Sequence, residues 1–272
     1  MIESKSGLID THAHLQLDAF DADRNEVLER ARENGVSCIV VPGIDVETSQ
    51  AAIRLAEQEP MVRVAVGIHP SSARDFSSSS LEEIRRLAAH PSVIAIGEIG
   101  LDYLRDQAPL EVQRHAFDEQ LQLATDLGLP VIVHNRSADE DVLATLTTWR
   151  LRDGANPAVL HCFAGDAVFA TRAVELGLYL GFGGLVTFPR EVQLARIAAT
   201  IPMDRLVIET DSPYLAPQPT RGRRNEPMNV GVVAEFLARV REQELSDFIT
   251  HTRENTRALF RLGKQHQTRN GG

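Results

Sequence analysis

The 272-residue chain is a succession of short apolar runs separated by amphipathic stretches. Eight runs have the length and β-branched content of strands: GLIDTHAH (7–14), VSCIVVPG (36–43), VRVAVGIHP (62–70), VIAIGEIG (93–100), PVIVHN (130–135), PAVLHCF (157–163), LGLYLGFGG (176–184) and RLVIETD (205–211). Near-continuous apolar runs suit parallel strands buried on both faces. Between them lie helical patterns. In 110–127, Phe117, Leu121 and Ala124 recur on one helical face, and Ser80 with Glu83 reads as a capping box closing the serine loop 77–80. Segments 137–149, 166–176 and 191–199 read as helices too, and two more, 230–241 and 246–261, close the chain. Strands alternating with helices predict a barrel or a doubly wound sheet. A length near the roughly 250 residues of a (β/α)₈ TIM barrel permits the α/β barrel, and one domain over 1–272 with frayed ends at 1–6 and 264–272 is expected.

Composition narrows the class. An apolar fraction of 43% supports a large core, and a net charge of −10 argues against a general nucleic-acid binder, whose footprint is basic. It leaves room for an enzyme that grips phosphates locally. Two cysteines, Cys38 in an apolar run and Cys162 beside His161, make no disulfide framework. No apolar run reaches the roughly 20 residues of a membrane span and the start lacks a signal-peptide core, so a cytoplasmic protein without membrane contact is expected, with a monomer favoured.

Chemistry collects at the C-terminal ends of the strand candidates, where a (β/α)₈ barrel keeps its active site. His12 and His14, His69, Glu98, His134, His161 and Asp211 all fall there. In H-x-H on a strand, both imidazoles reach the same side. Glu98 ends a run that otherwise belongs in the core, where a lone charge is costly without a cation or a hydrogen-bond network. Singly, each residue has an ordinary reading, such as a satisfied rim histidine or, for Asp211, the cap of the turn at Ser212–Pro213. Together, six ligands (His12, His14, Glu98, His134, His161, Asp211) at five strand ends predict a metal centre. Imidazoles suit zinc, manganese, iron, cobalt or nickel better than magnesium. Two ions need a bridge. Lys5 precedes the first strand and Lys264 follows the last, and with no other lysine in the chain a carbamylated lysine cannot serve, so Glu98 is the natural bridge.

The motifs DTHAHLQ, VGIHP, GEIGLDY, PVIVHNR, HCFAG and ETDSPYL, followed by GRRNEP, occur in order from about residue 8 to 262. In this the chain resembles the TatD family of metal-dependent deoxyribonucleases. The resemblance implies an amidohydrolase-like barrel, hydrolysis of DNA phosphodiester bonds, and two divalent ions (Mg, Mn, Zn or Co). Carried over, His12, His14, Glu98 and Asp211 would hold one ion and Glu98, His134 and His161 the other. His69 would stand behind the metals or face substrate, and Glu209 would support them. Ala164 in HCFAG departs from the serine of many relatives.

The expected mechanism uses Glu98 and Asp211 as catalytic groups. The ions lower the pKa of a bound water, and Asp211 orients that water and takes its proton. Arg221, Arg223 and Arg224, in the loop after the last strand, are expected to contact phosphates, and Tyr103 and Phe163 are candidates for stacking on bases. The expected substrate is DNA, single-stranded or at its ends, cleaved exonucleolytically. The same site could instead serve a metal-dependent esterase or deacylase, such as one acting on aminoacyl-tRNA, and a scaffold of the same shape without catalysis is a third reading.

Overall fold

A computed structural model of the chain describes residues 7–105, 107–153 and 156–263, so the predicted frayed ends, with Lys5 and Lys264, lie outside the described residues. Eight parallel strands form one sheet in sequence order, from β1 (Leu8–Asp10), β2 (Val36–Pro42), β3 (Val62–Val66) and β4 (Val93–Asp102) to β5 (Val131–Arg136), β6 (Ala158–Leu160), β7 (Tyr179–Phe182) and β8 (Leu206–Ile208). The first and last strands meet just beyond their ends. Thr11 donates to the Ile208 carbonyl at 3.1 Å, Asp211 to that of His12 at 2.8 Å, and His14 to that of Ser212 at 2.7 Å, with Ala13 bridging Ser212 in parallel. The barrel therefore closes through the very residues that carry the chemistry.

Helices cover the outside: α1 (Arg24–Glu33), α2 (Val46–Gln58), α3 (Ser78–Leu87), α4 (Leu110–Leu127), α5 (Asp139–Asp153), α6 (Ala167–Glu175), α7 (Val192–Thr200), α8 (Val230–Val240) and α9 (Leu245–Phe260). The expected 110–127 helix is α4 to the residue, ended by Gly128 at φ +62°. One cap differs from expectation. Ser77, in extended backbone, is the N-cap of α3 and exchanges hydrogen bonds with Ser80 in the third helical position, while Glu83 binds Arg86 and Gln50. The capping box thus sits one turn earlier, and the serine run starts the helix instead of preceding it.

Strand alternation sorts the core into two layers. Val40, Ala65, Ala95, Ile132, Val159, Tyr179 and Val207 cluster with Leu259 and Phe260 of α9, filling the barrel. Their neighbours Ile39, Val41, Val64, Val66, Val131 and Val133 join a larger cluster with Leu28, Ile84, Phe117 and Val142 of the helices. His134 and His161 follow Ile132 and Val159 by two residues, so they stand on the barrel-filling side, one layer above a packed floor. Among the described residues no helix is long and apolar enough to cross a membrane.

Candidate metal centre

Glu98 is the hub. Its carboxyl, on β4, is 2% exposed, and its two oxygens face different histidines. Oε2 lies 3.3 Å from His12 Nε2 and 3.6 Å from His14 Nε2. Oε1 lies 2.7 Å from His134 Nδ1, 2.8 Å from His161 Nε2 and 3.4 Å from His69 Nε2. Asp211 closes the first side, with Oδ1 3.6 Å from His14 Nε2 and 3.9 Å from His12 Nε2. All six expected ligands are therefore brought together, although β1, β6 and β8 stop short of them. Asp211 and Cys162 leave the strand direction in left-handed backbone (φ +56° and +46°), an uncommon state for residues with a side chain.

Groups standing behind the ligands set which nitrogen points inward. His134 Nε2 lies 3.4 Å from Asp102 Oδ2, so the hydrogen on that nitrogen is directed away from the centre and Nδ1 is turned toward it. Asp102 also accepts the backbone N–H groups of Leu104 and Arg105, each at 3.0 Å. His161 Nδ1 faces Glu209 Oε1 at 3.5 Å, and Glu209 accepts the Cys162 N–H at 2.5 Å. Its supporting role does not come from regular alternation with Asp211, because β8 has ended at Ile208. Asp10, fully buried, accepts the N–H of His12 (3.2 Å) and the N–H and hydroxyl of Thr210 (2.9 and 2.6 Å), tying the two barrel-closing segments together. His69 differs from the rest. Ser71 N–H donates to its Nδ1 at 2.9 Å, so a neutral ring carries its hydrogen on Nε2, facing Glu98, as a donor and not as a lone pair.

Close approach demands glycine at two places. A Cβ on Gly100 (φ +144°) would lie 2.0 Å from the His134 carbonyl oxygen, and one on Gly181 would lie 2.5 Å from Glu209 Oε2.

The electrostatics fit a cation. Burial opposes charge throughout, yet the field of His161, His69 and His12 carries Glu98 well below the usual carboxylate range. Burial also lowers His134 and His161, but Asp102 and Glu98 reverse it at His134, and Glu98 and Glu209 at His161, leaving both rings more basic than usual. Positive charge is thus favoured between these carboxylates. His14 is pushed down to about 3 by burial and the neighbouring His12, which keeps its lone pair free. Spacing agrees as well. His12 and His14 Nε2 lie 3.2 Å apart, and His134 Nδ1 and His161 Nε2 3.3 Å apart. Two ligands at about 2.1 Å from one ion in a tetrahedral arrangement are about 3.4 Å apart. Among the described residues three groups have donor atoms close enough to hold an ion: His12, His14 and Asp211; His12, His161 and Glu209, sharing His12 with the first; and His69, Glu98 and His134.

The centre floors a cavity of about 610 Å³ whose rim includes Arg105, Asn135, Arg136, Cys162, Tyr214 and Leu215. Burial raises the Cys162 thiol well above its ordinary range, so it is a poor nucleophile. The arginines expected from the sequence are elsewhere. Arg224 is paired with Asp23 (2.6 Å) and Glu226 (3.0 Å), donates to the Ala19 carbonyl (2.7 Å) and lies over the Phe20 ring. Arg221 lies over Phe188, Arg223 is exposed, and none of the three lines the cavity. Phe163 is buried against Phe169 and Phe182. Tyr103 donates to Asp141 at 2.5 Å. Neither aromatic lines the cavity; Tyr214 does. Sequence reasoning also passed over Asp102, although it lies four residues beyond Glu98 on the same strand.

Comparison with known proteins gives the family. The family model for TatD related DNase matches residues 9–261. A metal-dependent hydrolase of Bacillus subtilis, YabD, is 42% identical over 94% of this chain and 99% of its own. A 3'-5' ssDNA/RNA exonuclease TatD of Pantoea vagans is 37% identical over 94% of this chain and all of its own. The crystal structure of YjjV, a TatD homologue of Escherichia coli, superposes with a TM-score of 0.89 at 32% identity, covering 96% of this chain and all of that one. A match this continuous, around a centre built from buried imidazoles and carboxylates, places the chain in the TatD family as a metal-dependent hydrolase acting on ester bonds.

Proposed function

We propose that the chain hydrolyses phosphodiester bonds of DNA, from an end, using two divalent ions. The observation that carries this reading is the division of Glu98, with one oxygen toward His12 and His14 and the other toward His134 and His161. That is the arrangement of a bridging carboxylate with a ligand set on each side. His12, His14 and Asp211 would complete one site and His134 and His161 the other. Bound there, divalent ions supply Lewis acidity toward the phosphate and lower the pKa of an attacking water.

The residues do the rest. Asp211 is more open to the cavity than Glu98, its side chain 13% exposed against 3%. Burial raises its carboxyl to about 6, against the opposing pull of His12 and His161. Its exposure to the cavity beside the ligand set places it within reach of an attacking water, and we assign it to orient the water and accept its proton. His69 Nε2–H, aimed at Glu98 Oε1, fixes that carboxylate from the side opposite His12. The named activity of the Pantoea relative favours a nucleic-acid substrate over a carboxylic ester. The test is Asp211→Asn assayed on a single-stranded oligonucleotide with metal restored. A fall in kcat of about 10²–10⁴ is expected. Near-normal turnover would remove Asp211 from this role, and metal-dependent cleavage of carboxylic esters with DNA left intact would remove the nuclease reading itself.

A further inference from the structure

From the two walls of the cavity, and resting on the nuclease reading, we infer that Arg105 and Arg136 clamp a phosphate of the substrate strand while Tyr214 stacks on a base across the mouth. In a chain of net charge −10, many arginines are taken by carboxylates: Arg24, Arg30, Arg85, Arg114 and Arg224 pair with acids. Arg105 and Arg136 are the arginines of the cavity lining. Both are exposed, and among the described residues neither guanidinium enters an ion pair. Arg136 ends β5 and Arg105 follows β4 by three residues, so both stand on the side of Glu98 Oε1 and His134. An exposed arginine beside a cation-binding centre is not there to neutralise that centre. Its chemistry suits a phosphate oxygen.

The opposite wall is apolar. Tyr214 (52% exposed) and Leu215 (36%) follow β8, and the Tyr214 ring meets the His14 ring edge-on at 6.1 Å. In an eight-stranded ring in sequence order, β8 and β1 lie across from β4 and β5. A strand laid over the mouth would thus put a base on one rim, the scissile bond at Glu98 and a phosphate on the other. The aromatic wall is held in place before any substrate arrives. Asn225 Nδ2 donates to the carbonyls of Tyr214 (2.7 Å) and Thr210 (2.8 Å), and the Leu215 carbonyl lies so close to Gly184 that a Cβ there would approach it to 1.9 Å. Fixing the backbone that carries the ring lowers the ordering cost of binding. Stacking on Tyr214 reads no sequence but needs a base free of a pairing partner, so the site suits a single-stranded end of any sequence.

The experiment measures kcat and KM for an end-labelled single-stranded oligonucleotide across a salt series, with metal restored. It compares the wild type, Arg105→Gln/Arg136→Gln, Arg221→Gln/Arg223→Gln, Tyr214→Leu and Tyr214→Phe, and checks each for metal affinity by chelator competition. Each phosphate contact on a single strand contributes about 0.7 to the slope of log affinity against log salt. The Arg105/Arg136 pair, acting on one phosphate, is expected to lower that slope by about 0.7 and to raise KM with kcat and metal affinity little changed. Tyr214→Leu should raise KM by about 5- to 100-fold, with Tyr214→Phe restoring most of it. An unchanged slope at Arg105/Arg136, or a larger change from the Arg221/Arg223 pair, overturns the clamp while leaving the nuclease standing. A metal-loaded wild type that cuts carboxylic esters and no oligonucleotide overturns both.

Discussion

Asp102→Asn is the most informative single change behind the metal centre. Asp102 is buried, its Oδ2 is 3.4 Å from His134 Nε2, and its Oδ1 accepts from Leu104 and Arg105. Against the cost of burial, the bonds from His134 and Arg105 hold its carboxyl at about 2, so it is an anion at any working pH. Asparagine fills the same space and can still accept the two backbone N–H groups with its oxygen. Its NH₂ then faces His134 Nε2, which favours the opposite tautomer and puts a hydrogen on Nδ1, the nitrogen aimed at Glu98. The charge lost is substantial: at 3.4 Å and an effective dielectric of about 20, the pairing with a cationic ring is at most about 5 kcal/mol. Carboxylates behind ligating histidines typically account for about 10–100-fold in metal affinity or activity, or about 1.4–2.7 kcal/mol. With the tautomer reversed, the upper end is expected here. Chelator competition on stripped protein gives the affinity, and thermal unfolding of the same stripped samples separates it from a loss of fold. Metal affinity equal to wild type, with activity unchanged, would refute the argument that Asp102 selects the ligating nitrogen.

Arg224→Ala should act on the fold, because its guanidinium ties the loop after β8 to Asp23 and Glu226. A loss of about 1 kcal/mol, seen as roughly 2–4 °C in Tm, is expected, and a drop in the salt dependence of KM with no change in Tm would reverse that assignment. Burial raises Asp10 to about 8, with the bonds from Thr210 and His12 opposing it. A raised carboxyl binds more protons folded than unfolded, so metal-free stability should decline as pH rises from about 4 to 8. Asp10→Asn should flatten that part of the Tm–pH curve, and an unaltered slope would show that another group causes it.

Periodicity carried most of the fold. All eight strands fall on their apolar runs, because strands filling and facing a barrel must be apolar on both sides, although β4 and β5 run on to Asp102 and Arg136, and α4 was legible from its own face. The ends of elements were harder to read. Ser77 caps α3 in place of Ser80, since a serine run gives several equivalent acceptors and only the backbone turn chooses between them. At the centre, the residues that could hold ions were readable as hard ligands where apolar side chains belong. Their supports were less so: Asp102 looks like any strand-end acid until His134 is placed beside it. The rim was least legible. Arg221, Arg223 and Arg224 form a conspicuous cluster in sequence, but proximity to Asp23 and Glu226 takes Arg224 out of solution chemistry, while isolated Arg105 and Arg136 reach the cavity through strand ends whose positions only the closed barrel fixes.

The most direct test of the account is hydrolysis of end-labelled single-stranded DNA by chelator-stripped protein, with magnesium, manganese, cobalt and zinc restored separately and Glu98→Ala run alongside. Metal-dependent shortening from one end, absent in the variant together with its metal binding, is the expected result, and the product ladder would give the polarity. Retention of full metal affinity and DNA cleavage by Glu98→Ala would contradict the claim that this carboxylate joins the two halves of the site.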